Sequence, residues 1–239
     1  MNKVAVVTGS AKGLGKAIAL SLAKNGFTLV VHYKKSKKEA GKVLSEIKKV
    51  SPNSISLTGD LTSEKEARYV FDQVLEKFKR IDLLVNNVGN FLYKKFSETT
   101  NSEFKDIIES NIYATLFCSR AVLPSMRKQK SGHIVNLGAV GSDNPKILEK
   151  STPYYMAKTG IYSLTKIMAR EEARNGVHVN MISPASLAGD IFKPSDFPMG
   201  RNPNYDDVIK ALLFLISEDA YYINGANIEV AGGFILGMT

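Results

Sequence analysis

Short apolar runs alternate with longer amphipathic stretches along most of the chain. The first run, Val4–Val7, leads into a glycine-rich turn and then into Leu14, Ala17, Ile18 and Leu22, which are spaced by three and four positions. Short continuous apolar runs are typical of buried strands, and the three-to-four spacing is typical of helices. The beginning of the chain therefore predicts a strand, a loop and a helix.

The same alternation continues through the rest of the sequence. It predicts further strands at Thr28–Tyr33, Ile55–Thr58, Ile81–Val85, His133–Leu137, Val177–Ile182 and Asn227–Val230. It predicts helices after Tyr33 through about Lys49, after Thr62 or Ser63, at Ser102–Lys128, at Tyr154–Arg174 and at Tyr205–Ser217. Thr62 or Ser63 can cap the second of these helices, and Glu66 is placed to complete a capping box.

Strands that are almost entirely apolar and alternate with helices form parallel sheets covered on both faces. We therefore predict an α/β fold: a doubly wound, Rossmann-type parallel sheet of about seven strands in a single domain over residues 1–239. The proline-rich stretch at about 184–204 is predicted to be a short loop beside the substrate. In such sheets, ligands bind outside the carboxyl ends of the strands.

Composition narrows the cellular setting. The single cysteine, Cys118, lies in an apolar helical pattern, which excludes an internal disulfide framework and favours a reducing cytoplasm. No apolar run approaches the ~18 residues of a membrane span, and the first residues do not form a signal peptide. We expect a cytoplasmic protein that does not bind membranes.

The net charge of +9 raises the question of nucleic acid binding. The lysines and arginines are scattered along the chain, however, and do not form one stripe with aromatic residues between them. We expect no nucleic acid partner, and we assign part of the charge to a phosphorylated cofactor or an acidic partner.

The turn after the first strand has the pattern Thr-Gly-x-x-x-Gly-x-Gly, with glycines at Gly9, Gly13 and Gly15. Its backbone N–H groups lie at a helix N-terminus, where the aligned peptide dipoles favour a phosphate or pyrophosphate. The spacing differs from the Gly-x-Gly-x-x-Gly pattern of the usual dinucleotide fingerprint.

A tyrosine followed four positions later by a lysine occurs at Tyr33, Tyr154 and Tyr162. Only Tyr154 opens a helix just after the fifth strand, at the carboxyl edge of the sheet. Residues four apart share a helix face, so we expect the Lys158 ammonium to lower the pKa of the Tyr154 phenol from ~10. Such a tyrosine can give a proton to a carbonyl oxygen.

Together these motifs resemble the short-chain dehydrogenase/reductase family over essentially the full chain. The matching segments, in the family's order and spacing, are Thr8 to Gly15, Asp60, Asn86-Asn87-Val88-Gly89, Asn111, Tyr154 with Lys158, and Gly232-Gly233. The resemblance implies hydride transfer between a nicotinamide cofactor and a substrate, with Tyr154, Lys158 and Asn111 as catalytic residues. It also implies that Lys158 binds the nicotinamide ribose and that Asn111 holds a proton-relaying water.

The resemblance implies a set of cofactor-binding residues, with Asp60 at the adenine amino group. They are Gly9, Ser10, Lys12, Gly13, Leu14, Gly15, Tyr33, Lys34, Asp60, Leu61, Asn87, Val88, Gly89, Tyr154, Lys158 and Pro184. No metal is expected.

Charge near the end of the second strand indicates which dinucleotide is preferred. An NAD site places an acidic residue there to bind the ribose hydroxyls. This chain has Tyr33, Lys34 and Lys35 with no acid before Glu39, and Lys12 lies in the glycine loop. The pattern favours NADP(H).

The chain departs from the family on the substrate side. Ala139 occupies the position of the family's catalytic serine, and Ala185 and Gly189 replace a glycine and a threonine. Alanine cannot donate a hydrogen bond to a substrate carbonyl oxygen. Losing one such donor typically lowers the reaction rate by ~10²–10³-fold. Three explanations remain open. Either the substrate carbonyl needs less polarisation by a hydrogen bond, or Ser142 or Asp143 takes the place of the serine hydroxyl, or the protein is a poor catalyst.

Several functions remain open at this point. Gly200-Arg201 and the tail at 225–233 most resemble bacterial 3-oxoacyl-[acyl-carrier-protein] reductases, for which Lys130 and Arg174 could meet an acidic carrier protein. A pteridine-reductase-like C=N reductase and a nucleotide-binding protein with weak or lost catalysis are the alternatives. The substrate is expected to be a small-molecule or acyl-carrier-linked carbonyl compound, and the resemblance implies a homotetramer.

Overall fold

Seven parallel strands form one sheet in a computed structural model that describes residues 2–144, 149–187 and 192–235. The strand order is β3-β2-β1-β4-β5-β6-β7. The strands are β1 (Val4–Val7), β2 (Thr28–Tyr33), β3 (Ile55–Thr58), β4 (Leu83–Asn86), β5 (Gly132–Leu137), β6 (Val177–Pro184) and β7 (Asn227–Val230).

Helices cover both faces of the sheet. They are α1 (Gly13–Lys24), α2 (Lys37–Lys48), α3 (Glu64–Phe78), α4 (Asn101–Ile108), α5 (Ala114–Gln129), α6 (Thr152–Glu172) and α7 (Tyr205–Leu215). Successive side chains of a strand point to opposite faces, and β1 follows this rule: Ala5 and Val7 pack in the core with α1, α2 and α7. Val4 and Val6 pack in the opposite core, with α3, α5 and α6. The predicted doubly wound architecture is confirmed.

The strand order reverses between β1 and β4, and the loops after these two strands are joined there. The Thr8 hydroxyl accepts hydrogen bonds from the N–H groups of Asn87 (2.8 Å) and Val88 (3.0 Å). The Asn87 amide in turn donates to the Thr8 carbonyl at 2.9 Å. Because a crevice opens wherever the strand order reverses, these bonds fix the mouth of the ligand site.

The element bounds largely agree with the sequence pattern, and β2, β3 and β7 have the predicted limits. Ser63 is the residue that caps α3, and its hydroxyl accepts from the Glu66 N–H. The predicted capping box is only half formed, because the Glu66 carboxylate accepts instead from the Asp60 N–H at 2.7 Å.

The helical region predicted over 102–128 is present, but it is not one regular α-helix. A π-helical turn, Glu109–Tyr113, separates α4 from α5. The Asn111 side chain explains this interruption, since its amide donates to the carbonyls of Ile107 (3.0 Å) and Asn90 (2.9 Å). Ser110 strengthens the same link by accepting from the Asn90 N–H at 3.2 Å.

The loop predicted at about 184–204 begins at the end of β6 and contains a short 3₁₀ turn, Pro194–Asp196. Gly189, one of the three noted departures, lies outside the described residues. Among the helices of the described ranges, none combines the length and apolarity needed to cross a lipid bilayer.

Gly89 is required by the π-helical turn. A Cβ atom at this position would collide with the amide oxygen of Asn111. We expect Gly89→Ala to lower the free energy of unfolding by about 1–3 kcal/mol, as overpacking typically does. Chemical denaturation checks this value. Gly41→Ala in α2 is the matched control, because a Cβ there meets no atom within 4 Å. Equal stability changes in the two variants would contradict the steric argument.

Candidate active site

The glycine loop is held rigidly by the first three of its N–H groups. Thr8 donates to the Val85 carbonyl at 3.0 Å, and Ser10 donates to the His32 carbonyl at 2.9 Å. Gly9 donates to Nδ1 of His32 at 3.1 Å. The predicted contact residues Gly9 and Ser10 therefore shape the loop, since their N–H groups are already bonded.

The donors left for an anion are those of the first turn of α1. The helix begins at Gly13, and its N-cap residue, Lys12, makes no side-chain capping bond. The opening N–H groups of a helix have no partner within the helix, and its dipole favours negative charge there. Gly13, Leu14 and Gly15 thus fit the predicted pyrophosphate site.

Gly15 brings α1 close to the loop after β4. A Cβ at this position would lie 2.6 Å from the Asn87 amide nitrogen and 2.7 Å from the Gly9 carbonyl oxygen. Only glycine permits this approach, so its place in the motif has a packing reason. Gly9 also has a φ of +63°, in the left-handed region that favours glycine.

A cavity of about 390 Å³ opens beside the glycine loop at the end of β2. It brings together four of the predicted cofactor residues, Gly9, Lys12, Tyr33 and Lys34. Its other lining residues are Ala11, Lys35, Ser36, Asn90 and Asp106. Lys35 could be expected here because it follows Lys34, but no sequence motif pointed to Asn90 or Asp106, which come from other loops and helices of the chain.

Two of the three lysines that line this cavity are paired with carboxylates. Lys34 lies 2.6 Å from Asp60, and Lys12 lies 3.4 Å from Glu39. Burial raises the pKa of Asp60, but hydrogen bonds from Lys34 and Thr62 outweigh it and hold that pKa below its usual value. The charge of Asp60 is therefore already partly satisfied by Lys34, which lines the cavity.

Tyr154 and Lys158 lie one turn apart at the start of α6, as the spacing predicts. The Lys158 amine is 5.4 Å from the centre of the Tyr154 ring and donates to the Leu137 carbonyl at 2.8 Å. Lys158 is 5% exposed. Burial lowers its pKa to about 8.

The expected pKa shift of Tyr154 is reversed in this structure. Burial of the hydroxyl, assisted by the neighbouring Tyr155, raises the pKa of the phenol above its ordinary value. The Lys158 amine is directed at the end of β5, so it does not offset the lost hydration. The sequence could not show this, because helix spacing gives proximity but not solvent access.

Aromatic side chains surround the Tyr154 ring. Phe91 packs against it edge-on, with ring centres 4.8 Å apart, and Tyr155 does the same at 5.6 Å. Phe91 also stacks with Tyr93 at 6.4 Å. Phe91 and Tyr93 are 49% and 46% exposed. The sequence analysis missed both, although they follow the Asn-Asn-Val-Gly motif directly.

Asn111 is completely buried beside this cluster. Within the part of the chain that the structure describes, its amide oxygen has no hydrogen-bond partner. A buried polar atom without a partner is unusual in proteins, and π-helical turns are frequent at functional sites. Both features fit the predicted catalytic role of Asn111.

A buried network of polar side chains connects α6 to the sheet and to α5. The Asn86 amide donates to Asn136 at 2.9 Å and to Ser119 at 3.2 Å. Asn136 in turn donates to Thr165 of α6 at 2.8 Å. These bonds tie β4, β5, α5 and α6 together beneath Tyr154.

The two side chains suggested as substitutes for the missing serine are engaged elsewhere. The Ser142 hydroxyl accepts from the Ala139 N–H at 3.2 Å and donates to the Ala139 carbonyl. Asp143 accepts from the Asn227 amide at 2.9 Å. Ala139 is 5% exposed. Neither substitute is therefore poised for a substrate carbonyl.

The last two predicted cofactor residues, Pro184 and Leu61, lie at the end of β6 and shortly after the end of β3. Pro184 ends β6 and its carbonyl accepts from the Val140 N–H at 3.2 Å. Leu61 is buried in the core below the Asp60 turn.

Within residues 2–144, 149–187 and 192–235, no cluster of three His, Cys, Asp or Glu side chains could hold a metal ion.

Comparison with known proteins agrees with this geometry. Residues 3–197 match the family model of short chain dehydrogenases. The 3-oxoacyl-[acyl-carrier-protein] reductase FabG of Staphylococcus epidermidis is 33% identical, over 99% of this chain and 100% of the relative. FabG of Staphylococcus aureus is 32% identical, over 99% of each chain.

A solved structure supports the same assignment. A protein from Sinorhizobium meliloti 1021 that is described as a short-chain alcohol dehydrogenase superposes with a TM-score of 0.90. It is 25% identical, and the match covers 97% of this chain and 96% of that one. The chain therefore belongs to the short-chain dehydrogenase/reductase family of oxidoreductases.

Proposed function

We propose that the protein is an NADPH-dependent oxidoreductase that reduces a carbonyl group. The observation that carries the proposal is the Tyr154–Lys158 pair at the carboxyl edge of the sheet, on the same edge as the glycine loop. The first turn of α1 would hold the pyrophosphate, and the cavity at the end of β2 would hold the adenosine half. When bound, a nicotinamide at this edge supplies the hydride.

The two titratable side chains suit the reduction direction. The raised pKa keeps the Tyr154 phenol protonated near neutral pH, which is the state that can donate to a carbonyl oxygen. Lys158, with a pKa of about 8, is mostly charged at pH 7 and would bind the ribose of the nicotinamide. The Leu137 carbonyl orients the amine.

Tyr154→Phe removes the proposed proton donor without changing the ring. We expect NADPH oxidation with an acetoacetyl thioester to fall by about 10²-fold or more, a typical contribution of a general acid. Spectrophotometry at 340 nm measures the rate.

The matched control for this test is Tyr162→Phe. Tyr162 and Lys166 are also one turn apart on α6, with a similar distance of 5.6 Å between the amine and the ring centre. That variant should keep its activity. Equal, slow rates in the wild type and both variants would favour a nucleotide-binding protein with lost catalysis.

The preference for NADPH rests on charge near the end of β2. Lys12, Lys34 and Lys35 line the adenosine cavity, and no acidic residue ends the strand. A 2′-phosphate would compete with Glu39 for Lys12 and with Asp60 for Lys34, and both ion pairs are partly exposed. Exposed ion pairs of this kind are weak. The two lysines can therefore exchange a carboxylate for a phosphate at a low cost in free energy.

Lys12→Ala is expected to weaken NADPH binding by about tenfold, equivalent to 1.4 kcal/mol, and to change NADH binding by less than about twofold. Fluorescence titration with each dinucleotide measures the two dissociation constants. Lys16→Ala is the control, because Lys16 of α1 pairs with Glu46 of α2 and does not line the cavity. Equal wild-type affinities for NADPH and NADH would refute the argument from the lysines.

The leading substrate candidate is a 3-oxoacyl thioester. The similarity to two staphylococcal 3-oxoacyl-[acyl-carrier-protein] reductases over nearly the whole chain supports it. Lys130 and Arg174, at the ends of the two long helices, would meet the acidic carrier. The homotetramer and the cytoplasmic location stay predictions from the sequence.

The second candidate is the reduction of a C=N bond in a flat ring, as in pteridine reductases. The observation that favours it is the pair of half-exposed rings, Phe91 and Tyr93, beside Tyr154. Aromatic rings in offset or edge-on contact attract one another beyond simple burial. A dihydropterin assayed beside the thioester distinguishes the two candidates.

Ala139→Ser restores the hydroxyl of the family pattern. Because Ser142 and Asp143 are bonded elsewhere, we expect this change to speed reduction of the acetoacetyl thioester by about tenfold or more, with an upper range of ~10²–10³. Steady-state kinetics gives kcat and KM separately. An unchanged kcat would mean that another group already polarises the carbonyl.

A further inference from the structure

His32 lies between two loops that both border the adenosine end of the crevice. It is the fifth residue of β2 and only 2% exposed. On one side is the glycine loop after β1, and on the other is the turn of Gly59 and Asp60 after β3.

Both nitrogens of the imidazole are bonded to the main chain of these loops. Nδ1 is 3.1 Å from the Gly9 N–H nitrogen, and Nε2 is 3.0 Å from the Gly59 carbonyl oxygen. A backbone N–H can only donate and a carbonyl can only accept. The proton must therefore be on Nε2, and a single neutral tautomer satisfies both loops.

The main chain of His32 adds to the same connection. Its N–H donates to the Ser10 hydroxyl at 3.0 Å, and its carbonyl accepts from the Ser10 N–H at 2.9 Å. Burial lowers the pKa of His32 to about 4. The ring is consequently uncharged near neutral pH, and His32 adds no positive charge to the cofactor site.

The positions joined by the ring matter for the ligand. Gly9 packs against the Asn87 and Val88 side chains and precedes the pyrophosphate-binding turn. Gly59 precedes Asp60, which pairs with Lys34. A shift of either loop would move the N–H groups of the pyrophosphate site relative to the adenosine wall.

We propose that His32 is a positioning residue for the dinucleotide, whose imidazole fixes the distance between the glycine loop and the Gly59–Asp60 turn. This proposal rests on the proposed function in one respect, which is that a dinucleotide binds in this crevice. The bond to Gly9 carries most of the effect, because that bond is beside the pyrophosphate loop. The bond to Gly59 orients the ring.

Three substitutions separate the two bonds. His32→Phe keeps a ring but leaves Gly9 and Gly59 unpaired. His32→Asn places an amide near the former Nδ1 and can accept from Gly9. His32→Gln reaches the former Nε2 and can donate to Gly59. The control is His178→Phe, which removes another imidazole–carbonyl bond, 2.8 Å to Tyr221, on β6.

The measurements are the NADPH dissociation constant by fluorescence titration and the melting temperature without ligand. We expect His32→Phe to raise the dissociation constant by about tenfold or more, since two partly buried main-chain groups lose their partner. His32→Asn should stay within about threefold of wild type, and His32→Gln should be weaker than His32→Asn. His178→Phe should leave the dissociation constant within about twofold while lowering the melting temperature.

The proposal is overturned if His32→Phe binds NADPH like wild type, or if His178→Phe weakens binding equally. It is also overturned if His32→Asn binds no better than His32→Phe. Should His32→Phe not fold, equal dissociation constants for wild type, His32→Asn and His32→Gln would overturn it. The readout is binding, so a failure to reduce any carbonyl compound would sink the proposed function and leave this test valid.

Discussion

The structure depends on the immobilisation of the chain where β1 ends. Three consecutive N–H groups, those of Thr8, Gly9 and Ser10, are bonded to β4 and β2 before the chain turns into α1. A loop fixed in this way loses little further entropy when a ligand arrives. The N-terminus of α1 is thereby held in place, and the opening N–H groups of a helix have no partner within the helix.

Burial controls the chemistry on the other side of the crevice. It moves the pKa of Tyr154 up and that of Lys158 down, so both side chains are pushed towards their neutral forms. A buried phenol and a buried amine one helical turn apart are sensitive to any charge that enters. The network from Asn86 through Asn136 to Thr165 keeps the helix that carries them in place. The hydrogen-bond network thus holds α6 in place, while the pKa values of Tyr154 and Lys158 depend on the charges and the solvent around them.

The two halves of the crevice differ in how closely they follow the family pattern. The adenosine half has the glycine loop, Asp60 and the lysines in one cavity or beside it. The substrate half lacks a hydroxyl at Ala139 and has exposed rings at Phe91 and Tyr93 instead. The chain belongs to the family over most of its length, whereas Ala139 departs from the serine of the family pattern.

The sequence by itself determined the fold and the main motifs. Apolar periodicity gave the limits of β2, β3 and β7, because a strand buried on both faces has a continuous apolar run. The same pattern placed Tyr154 and Lys158 on one helix face. Local periodicity is a property of neighbouring residues, so it can be read without knowing the fold.

Only the tertiary structure decided the contacts between distant segments. The break in the helix at Asn111 arises from bonds to Asn90, which lies in another loop. His32 joins Gly9 to Gly59, and Lys34 pairs with Asp60, although no local pattern connects these positions. The direction of the Tyr154 pKa shift likewise followed from burial. Solvent exposure and long-range partners are set by how the elements pack, and packing is not encoded in the spacing of any single segment.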